Sequence, residues 1–206
     1  MSSASDDIAR LLEHPAIWRG RSAARVAPVS SGFPALDEAL PGGGWPRSGL
    51  VEILLSQPGV GELSLLMPAL AALTHEPVAR WCTWIAPPFE PFAPALAAHG
   101  IALERVLVVR TGKPLWALEQ ALGSGACEVA LAWSSRAHPR DVRRLQLATE
   151  RGRTLGVLFR EPDRAAGSTC AAMRLALAPL AEGVRVTFVK SRGGLRGAID
   201  IERRLP

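Results

Sequence analysis

Tyrosine is absent from this 206-residue sequence, and lysine occurs only at Lys113 and Lys190. The 24 basic residues outnumber 19 acidic ones, for a net charge of +5, and are therefore almost all arginines. Arginine is favoured where planar, bidentate contact with phosphate or carboxylate is needed. A GC-rich genome also encodes arginine in preference to lysine, so the charge is compatible with a nucleic-acid partner but does not establish one.

Cysteines are few, and long apolar runs are lacking. Cys82, Cys127 and Cys170 are odd in number and far apart, which predicts buried free thiols in a reducing compartment rather than a disulfide or zinc site. The four histidines lack metal-ligand spacing. The apolar stretch 65–73 is broken by Pro68 and too short for a bilayer, and the opening MSSASDD is unlike a secretion signal. We therefore expect a soluble cytoplasmic protein without membrane contact, metal or cofactor.

The chain divides near residue 28. Residues 5–18 place apolar side chains at helical spacing, and the basic, proline-containing stretch that follows reads as a linker. We therefore predict an N-terminal helix and linker over 1–28 and a core over 29–206.

Apolar runs and helical patterns alternate through most of the core. Strands are predicted at 50–55, 81–85, 105–109, 128–133 and 154–159, and helices at 62–73, 93–99, 114–122 and 138–151. This alternation is typical of a parallel sheet with right-handed crossovers. Three further runs, at 173–178, 184–190 and 196–201, lack intervening helices and predict an antiparallel extension, with SRGGLRG as a hairpin turn.

A specific motif precedes and includes the first strand. Its anchors are Ser31-Gly32, Leu36-Asp37, Leu40, Gly42-Gly43-Gly44, Pro46, Gly49 and Glu52-Ile53. In this order they resemble the start of the RecA family core, where the strand leads into a phosphate-binding loop. The resemblance implies a RecA-like three-layer α/β core with a mainly parallel sheet and a C-terminal antiparallel extension.

The loop that should bind phosphate is degenerate. A working loop needs G-x-x-x-x-G-K-[ST], in which lysine neutralises the phosphate oxygens. Of the motif glycines Gly61 is present, with Gly59 and Ser64 close by, but the first glycine is replaced and Glu62 and Leu63 occupy the lysine and hydroxyl positions. At ~4 Å and an effective dielectric of about 20, each like-charge pair costs roughly 4 kcal/mol.

Two other ATPase positions are also replaced. The resemblance places a catalytic carboxylate where Ala86-Pro87-Pro88 stand, and a magnesium-organising Asp where Trp133 stands. We therefore predict no catalytic residues and a pseudo-ATPase, with a weak ATPase using Gly59–Ser64 as the alternative.

The resemblance narrows to the ImuA group of RecA-like accessory proteins. Its hallmarks are LLEHPAIWRG, SGFPALDEALPGGGWPR, VGELSLL and VRRLQLATERGRTLGVLFR, and the likeness covers roughly residues 8–201. It implies a non-enzymatic role in damage-induced mutagenic translesion synthesis, with an inactive Y-family-type polymerase homologue and an error-prone replicative-type polymerase as partners. RecA, single-stranded DNA and self-association are further candidates. The pattern also resembles SulA-type division inhibitors of the same SOS stress response, which bind the tubulin-like division protein, although HPAIWRG favours ImuA.

Candidate contact residues lie on predicted loops and in the N-terminal segment. The resemblance places DNA against loops that follow the strands ending near Trp133 and Phe159. Arginines there can pair with phosphates, and simple solvation is the competing interpretation. Candidates for nucleic-acid contact are Arg136, Arg140, Arg160, Arg164, Lys190, Arg192 and Arg196. Trp18, Arg19 and Arg21 are the candidates for a protein partner, whereas Trp81, Trp84 and Trp133 are expected in the core.

Overall fold

A computed structural model describes residues 27–78, 80–134, 136–162, 167–191 and 197–202. The N-terminal helix and linker predicted over 1–28 lie almost wholly outside these residues. The helices are α1 (Pro34–Ala39), α2 (Met67–Thr74), α3 (Ala93–Ala98), α4 (Pro114–Gly123) and α5 (Pro139–Gly152), with a 3-10 turn at Leu103–Arg105. The strands are β1 (Gly49–Leu54), β2 (Trp81–Ile85), β3 (Val106–Val109), β4 (Cys127–Trp133), β5 (Leu155–Arg160), β6 (Met173–Leu180), β7 (Gly183–Ser191) and β8 (Ala198–Glu202).

All eight strands form one sheet, in the order β3-β2-β4-β5-β1-β6-β7-β8. The first six strands in this order pair in parallel. The pairs β6–β7 and β7–β8 are antiparallel. The predicted mainly parallel sheet with an antiparallel C-terminal extension is therefore confirmed.

Helices cover both faces of the parallel part of the sheet. On one face, Leu70 and Leu73 of α2 belong to a buried apolar cluster with Trp84 and Phe159. On the other face, residues of α4 and α5 bury Leu50 in a second cluster. Strands β1 and β5 are buried throughout because helices pack on both of their faces.

The turn before α1 explains part of the sequence motif. The Asp37 carboxylate accepts hydrogen bonds from the Ser30 hydroxyl at 2.6 Å and from the Ser31 backbone amide at 2.7 Å. Burial alone would raise the pKa of Asp37, but the hydrogen bonds from Ser30 and Ser31 outweigh it and lower that pKa. Ser31 and Asp37 of the motif, together with Ser30, therefore stabilise the turn that precedes α1.

Several sequence predictions need correction. The helix predicted from residue 62 begins only at Met67, because residues 62–66 form turns and Pro68 stands in the first helical turn. Trp81 was expected in the core but is 41% exposed. Cys82 and Cys127 are buried as predicted, whereas Cys170 is exposed. Burial raises the pKa of the Cys82 thiol to about 12.

Across the described residues, the helices are all too short or too polar to cross a membrane.

Candidate functional site

In the loop after β1, a glutamate side chain binds a backbone amide of the same loop. The backbone amide of Gly59 donates hydrogen bonds to both Glu62 carboxylate oxygens, at 2.9 and 3.1 Å. Glu62 is only 3% exposed, and the glycines on either side of Val60 have φ of 91° and 105°, conformations that favour glycine. An amide that could serve an external phosphate is therefore already paired with a carboxylate of the same loop.

Apolar side chains stand where the other two ATPase positions were expected. Ala86 follows β2 with a φ of 48° and leads into Pro87 and Pro88. At the end of β4, the Trp133 ring stacks on Phe159 with centroids 4.5 Å apart, and lies 6.0 Å from Trp84. These positions present aromatic and proline surface rather than a carboxylate.

A groove of about 240 Å³ lies at the carboxyl ends of the strands, beside Glu62 and Trp133. Its lining includes Glu62, Leu63, Met67, Trp84, Trp133, His99 and the segment 87–92. Crevices at this edge of a parallel sheet are the usual ligand sites of such folds. We refer to this hollow, including the segment 87–92, as the strand-end groove.

Two phenylalanines line the strand-end groove yet project into solvent. Phe89 is 71% exposed and Phe92 is 70% exposed. Their segment is attached to the sheet edge, because Glu90 forms an ion pair with Arg110 and the Ala86 amide donates to the Val109 carbonyl. Prolines fix φ near −65°, so Pro87, Pro88 and Pro91 restrict the segment further. The two exposed rings are therefore carried by a backbone segment of restricted conformation.

A second hollow, of about 220 Å³, shares Trp133 and Pro88 with the strand-end groove. Ser56, Gln57, Ser134 and Glu161 give this hollow a more polar lining. The two hollows therefore share residues but differ in the polarity of their lining.

Among the described residues, the nucleic-acid candidates differ in exposure. Arg136 and Arg140 are exposed, as that prediction requires. Lys190 is half-buried, and its ammonium donates to the backbone carbonyls of Thr169 and Ala171 at 2.5 and 2.8 Å. Its charge therefore stabilises the neighbouring chain segment. Two sets of candidates lie outside the described residues. They are the nucleic-acid candidates Arg164, Arg192 and Arg196 and the protein-partner candidates Trp18, Arg19 and Arg21.

Arg160 requires a clear correction. It is the last residue of β5 and is 5% exposed, so its guanidinium is not at the surface. It donates to the Glu52 carboxylate at 2.5 Å and to the Ala137 carbonyl at 2.6 Å. Arg160 is thus committed to the interior and is unsuitable as a phosphate contact.

The centre of this buried network is Glu52, whose role the sequence reasoning missed. Its carboxylate pairs with Arg160 and Arg174 and accepts a hydrogen bond from the Thr169 hydroxyl at 2.5 Å. The residues belong to neighbouring strands β5, β1 and β6 and to the loop before β6. The available signal was a lone carboxylate in the middle of the apolar strand LVEILL, since buried carboxylates are normally paired.

Comparison with known proteins relates the part of the chain that contains this site to a known family. The family model for the cell division inhibitor SulA matches residues 49–156. A cell division inhibitor SulA from Edwardsiella piscicida is 34% identical over 125 residues, which cover 57% of this chain and 71% of the relative. Another from Photorhabdus laumondii is 30% identical and aligns over 56% of its own length.

Two further similarities are weaker or partial. Protein ImuA from Caulobacter vibrioides is 31% identical over 142 residues, which cover 65% of this chain and 58% of that protein. The crystal structure of SulA from Pseudomonas aeruginosa aligns with a TM-score of 0.46 and 27% identity, over 54% of this chain and 97% of that one. With the family match and the Edwardsiella relative taken together, the chain belongs to the SulA family.

Proposed function

We propose that this protein is a SulA-type inhibitor of cell division that acts by binding the tubulin-like division protein, with no enzymatic activity of its own. The supporting observation is the family match over residues 49–156. That range contains the whole strand-end groove, from the loop after β1 to Trp133. The proposal therefore reverses the order of preference that the sequence alone indicated.

The strand-end groove has the character of a protein-docking surface. Exposed Phe89 and Phe92 stand beside a hollow lined by Trp84 and Trp133. Aromatic anchors dominate the binding energy of protein interfaces, and contiguous apolar surface on a monomer commonly marks such an interface. We infer that the two phenylalanines anchor the division protein while the groove accepts one of its side chains.

The absence of ATPase activity is part of the proposal. Glu62 places a buried carboxylate on the Gly59 amide, so an incoming phosphate would meet negative charge instead of a lysine. The strand–loop–helix order of β1, residues 55–66 and α2 is that of a phosphate-binding fold. We infer a RecA-like origin in which the nucleotide site became a docking site.

Two measurements test the proposal. Expression in a bacterial host should lengthen cells into filaments, and the purified protein should reduce the GTP-dependent assembly of that host's division protein, followed by light scattering. The double variant Phe89→Ser/Phe92→Ser should lose both effects. Val189→Ser, which alters an exposed residue of β7 away from the strand-end groove, is the matched control.

A wild-type protein that neither filaments cells nor binds the division protein would overturn the function. If the wild type inhibits and the double phenylalanine variant inhibits equally, the function stands and the assignment of the groove is wrong. Circular dichroism of each variant verifies that it remains folded.

A second candidate function rests on the similarity to ImuA. That alignment covers 65% of the chain, compared with 57% for the Edwardsiella SulA. It favours an adaptor of damage-induced mutagenic synthesis that binds the polymerase homologue, with RecA and single-stranded DNA as further partners. A pull-down with the polymerase homologue, together with mutation frequency after DNA damage in a deletion strain, distinguishes this function from division inhibition.

A further inference from the structure

Helices α4 and α5 carry exposed apolar side chains on the side of the sheet opposite the α2 cluster. Trp116 of α4 is 61% exposed and Leu147 of α5 is 55% exposed. The buried residues of both helices belong to the second apolar cluster, whereas the groove residues Trp84 and Met67 belong to the first. The exposed pair therefore belongs to the helices on the opposite face of the sheet from the cluster that contains these groove residues.

Leu147 stands in a row of arginines. Arg140, Arg144, Leu147 and Arg151 are spaced i, i+4, i+7 and i+11, which places them on one stripe of a helix. Arg143 immediately precedes Arg144 and lies beside this stripe. The side chains of Arg143 and of the four stripe residues are all exposed. The opposite side of α5 is buried through Val142, Leu145 and Ala148, so the stripe faces solvent.

Contacts between the helices join this stripe to Trp116. Arg144 forms an ion pair with Glu119 at 2.5 Å, and the Arg151 guanidinium lies against Gly123. Trp116, Glu119 and Gly123 are spaced i, i+3 and i+7, on one face of α4. The two helices therefore present one continuous surface, which we call the α4–α5 face, with two apolar residues among arginines.

The α4–α5 face has an excess of positive charge. Glu119 is paired with Arg144, and the Glu150 carboxylate accepts a hydrogen bond from Gln146. Within the described ranges, the ion pairs include none of Arg140, Arg143 and Arg151. These three guanidiniums are thus available to external carboxylates.

We propose that the α4–α5 face docks an acidic, amphipathic segment of a partner protein. Apolar side chains of that segment contact Trp116 and Leu147, and its carboxylates pair with Arg140, Arg143 and Arg151. Charge complementarity gives the sign of the partner, and tryptophan and arginine are the residue types enriched at binding hot spots. This surface is additional to the strand-end groove and does not depend on the proposed function.

The composition of the α4–α5 face favours protein over nucleic acid. Non-specific single-strand binding combines a basic groove with several aromatic rings on which successive bases stack. Here one tryptophan and one leucine stand on the outer surface of two helices, and Glu119 and Glu150 lie among the arginines. A polyanion without apolar groups leaves Trp116 and Leu147 uncovered, whereas an acidic amphipathic segment covers them.

The test measures binding of the full-length protein to a defined probe. The probe is a labelled synthetic peptide of about 20 residues, long enough to span roughly 30 Å as a helix, with Leu and Glu at helical spacing. Two control peptides replace all Leu by Ser or all Glu by Gln, and an oligothymidine of similar length reports nucleic-acid binding. Fluorescence anisotropy is recorded at low and moderate salt, because charge pairing weakens with ionic strength.

We expect the acidic amphipathic peptide to bind more tightly than both control peptides and the oligothymidine. Arg140→Glu/Arg143→Glu should weaken it about tenfold or more, because the reversed charges repel the peptide. Leu147→Ser should weaken it about tenfold through loss of the apolar anchor. Arg185→Glu, which reverses the charge of an exposed arginine on β7, should leave affinity unchanged.

Three results would overturn the proposal. The first is no binding of the acidic amphipathic peptide, and the second is equal loss of affinity in Arg185→Glu. The third is tighter binding of the oligothymidine that Leu147→Ser does not alter, which would assign the face to nucleic acid.

Discussion

Glu52 shows how much one residue matters when its charge is buried. Its carboxylate is fully buried between Arg160 and Arg174, so removal of its charge breaks two buried ion pairs at once. We expect Glu52→Gln to lower the free energy of unfolding by about 3–5 kcal/mol, the range for breaking a buried ion pair. Urea unfolding followed by circular dichroism measures the change.

An exposed ion pair provides the control for this prediction. Arg185 and Asp200 pair at 2.7 Å on the antiparallel extension, with about half of each side chain exposed to water. Exposed pairs contribute little because water and salt screen them. Asp200→Asn should therefore leave the unfolding midpoint almost unchanged. Equal effects of Glu52→Gln and Asp200→Asn would show that burial of Glu52 does not increase its contribution to the free energy of unfolding.

Asp37 predicts a dependence of stability on pH. Its hydrogen bonds from Ser30 and Ser31 lower the pKa of the carboxyl below the ordinary 3.8 in the folded protein. The stabilisation is therefore fully present above that value and is lost as the pH falls through the lower, folded pKa. Asp37→Asn should be less stable than wild type near neutral pH, and the difference should shrink below pH 3.8.

Urea unfolding over a pH series, with Glu38→Gln as an exposed neighbouring control, measures this difference. A gap between Asp37→Asn and wild type that stays constant down to strongly acidic pH would contradict the assignment.

At the scale of elements, the end of α5 packs so closely on α4 that a single methyl group matters. A Cβ at Gly152 would overlap the backbone carbonyl of Leu122. Alanine is ordinarily the better helix former by about 1 kcal/mol, yet overpacking costs typically about 1–3 kcal/mol. We expect Gly152→Ala to destabilise the protein, because the obstacle is backbone and cannot move aside as a side chain can.

Gly112, in the loop before α4, supplies the matched control. A Cβ there has no heavy atom within 4 Å. Gly112→Ala should leave thermal stability unchanged or raise it slightly through a less flexible unfolded chain. If Gly152→Ala melts at the same temperature as Gly112→Ala, the α4–α5 packing is looser than the structure indicates.

The elements themselves were largely predictable from sequence. Apolar runs between turn residues located every strand within a few residues, because buried strands of a parallel sheet are continuously apolar. Helix α1, at Pro34–Ala39, was missed, since six residues are too few to show a helical period. The start of α2 was placed too early because Leu65 and Leu66 continue the apolar spacing although the backbone there forms turns.

At the scale of the whole molecule, strand order is the information that the sequence did not provide. Arg160 was assigned to a surface loop because it follows an apolar run. In the sheet, β1 lies between β5 and β6, which brings Arg160 and Arg174 to the two sides of Glu52. The glutamate in place of the expected lysine, by contrast, is visible within a short motif, and its effect on nucleotide binding stays a prediction. Contacts between distant segments therefore account for the error at Arg160.

The whole molecule also predicts its response to nucleotide. A ligand at about 100 times its dissociation constant adds roughly 2.7 kcal/mol of stability, which in a chain of this size raises the melting temperature by roughly 5–10 °C. Because the Glu62 carboxylate already holds the Gly59 amide, we expect millimolar Mg-ATP to leave the melting temperature unchanged.

Glu62→Gln provides the informative comparison, since it removes the negative charge and keeps the size of the side chain. If Mg-ATP stabilises Glu62→Gln but not the wild type, the carboxylate is what excludes nucleotide from an otherwise competent loop. If neither responds, the missing lysine at position 62 and hydroxyl at Leu63 are sufficient to abolish binding. A shift of several degrees in the wild type would show that the fold still binds ATP, and the proposal that the nucleotide site was lost would then be wrong.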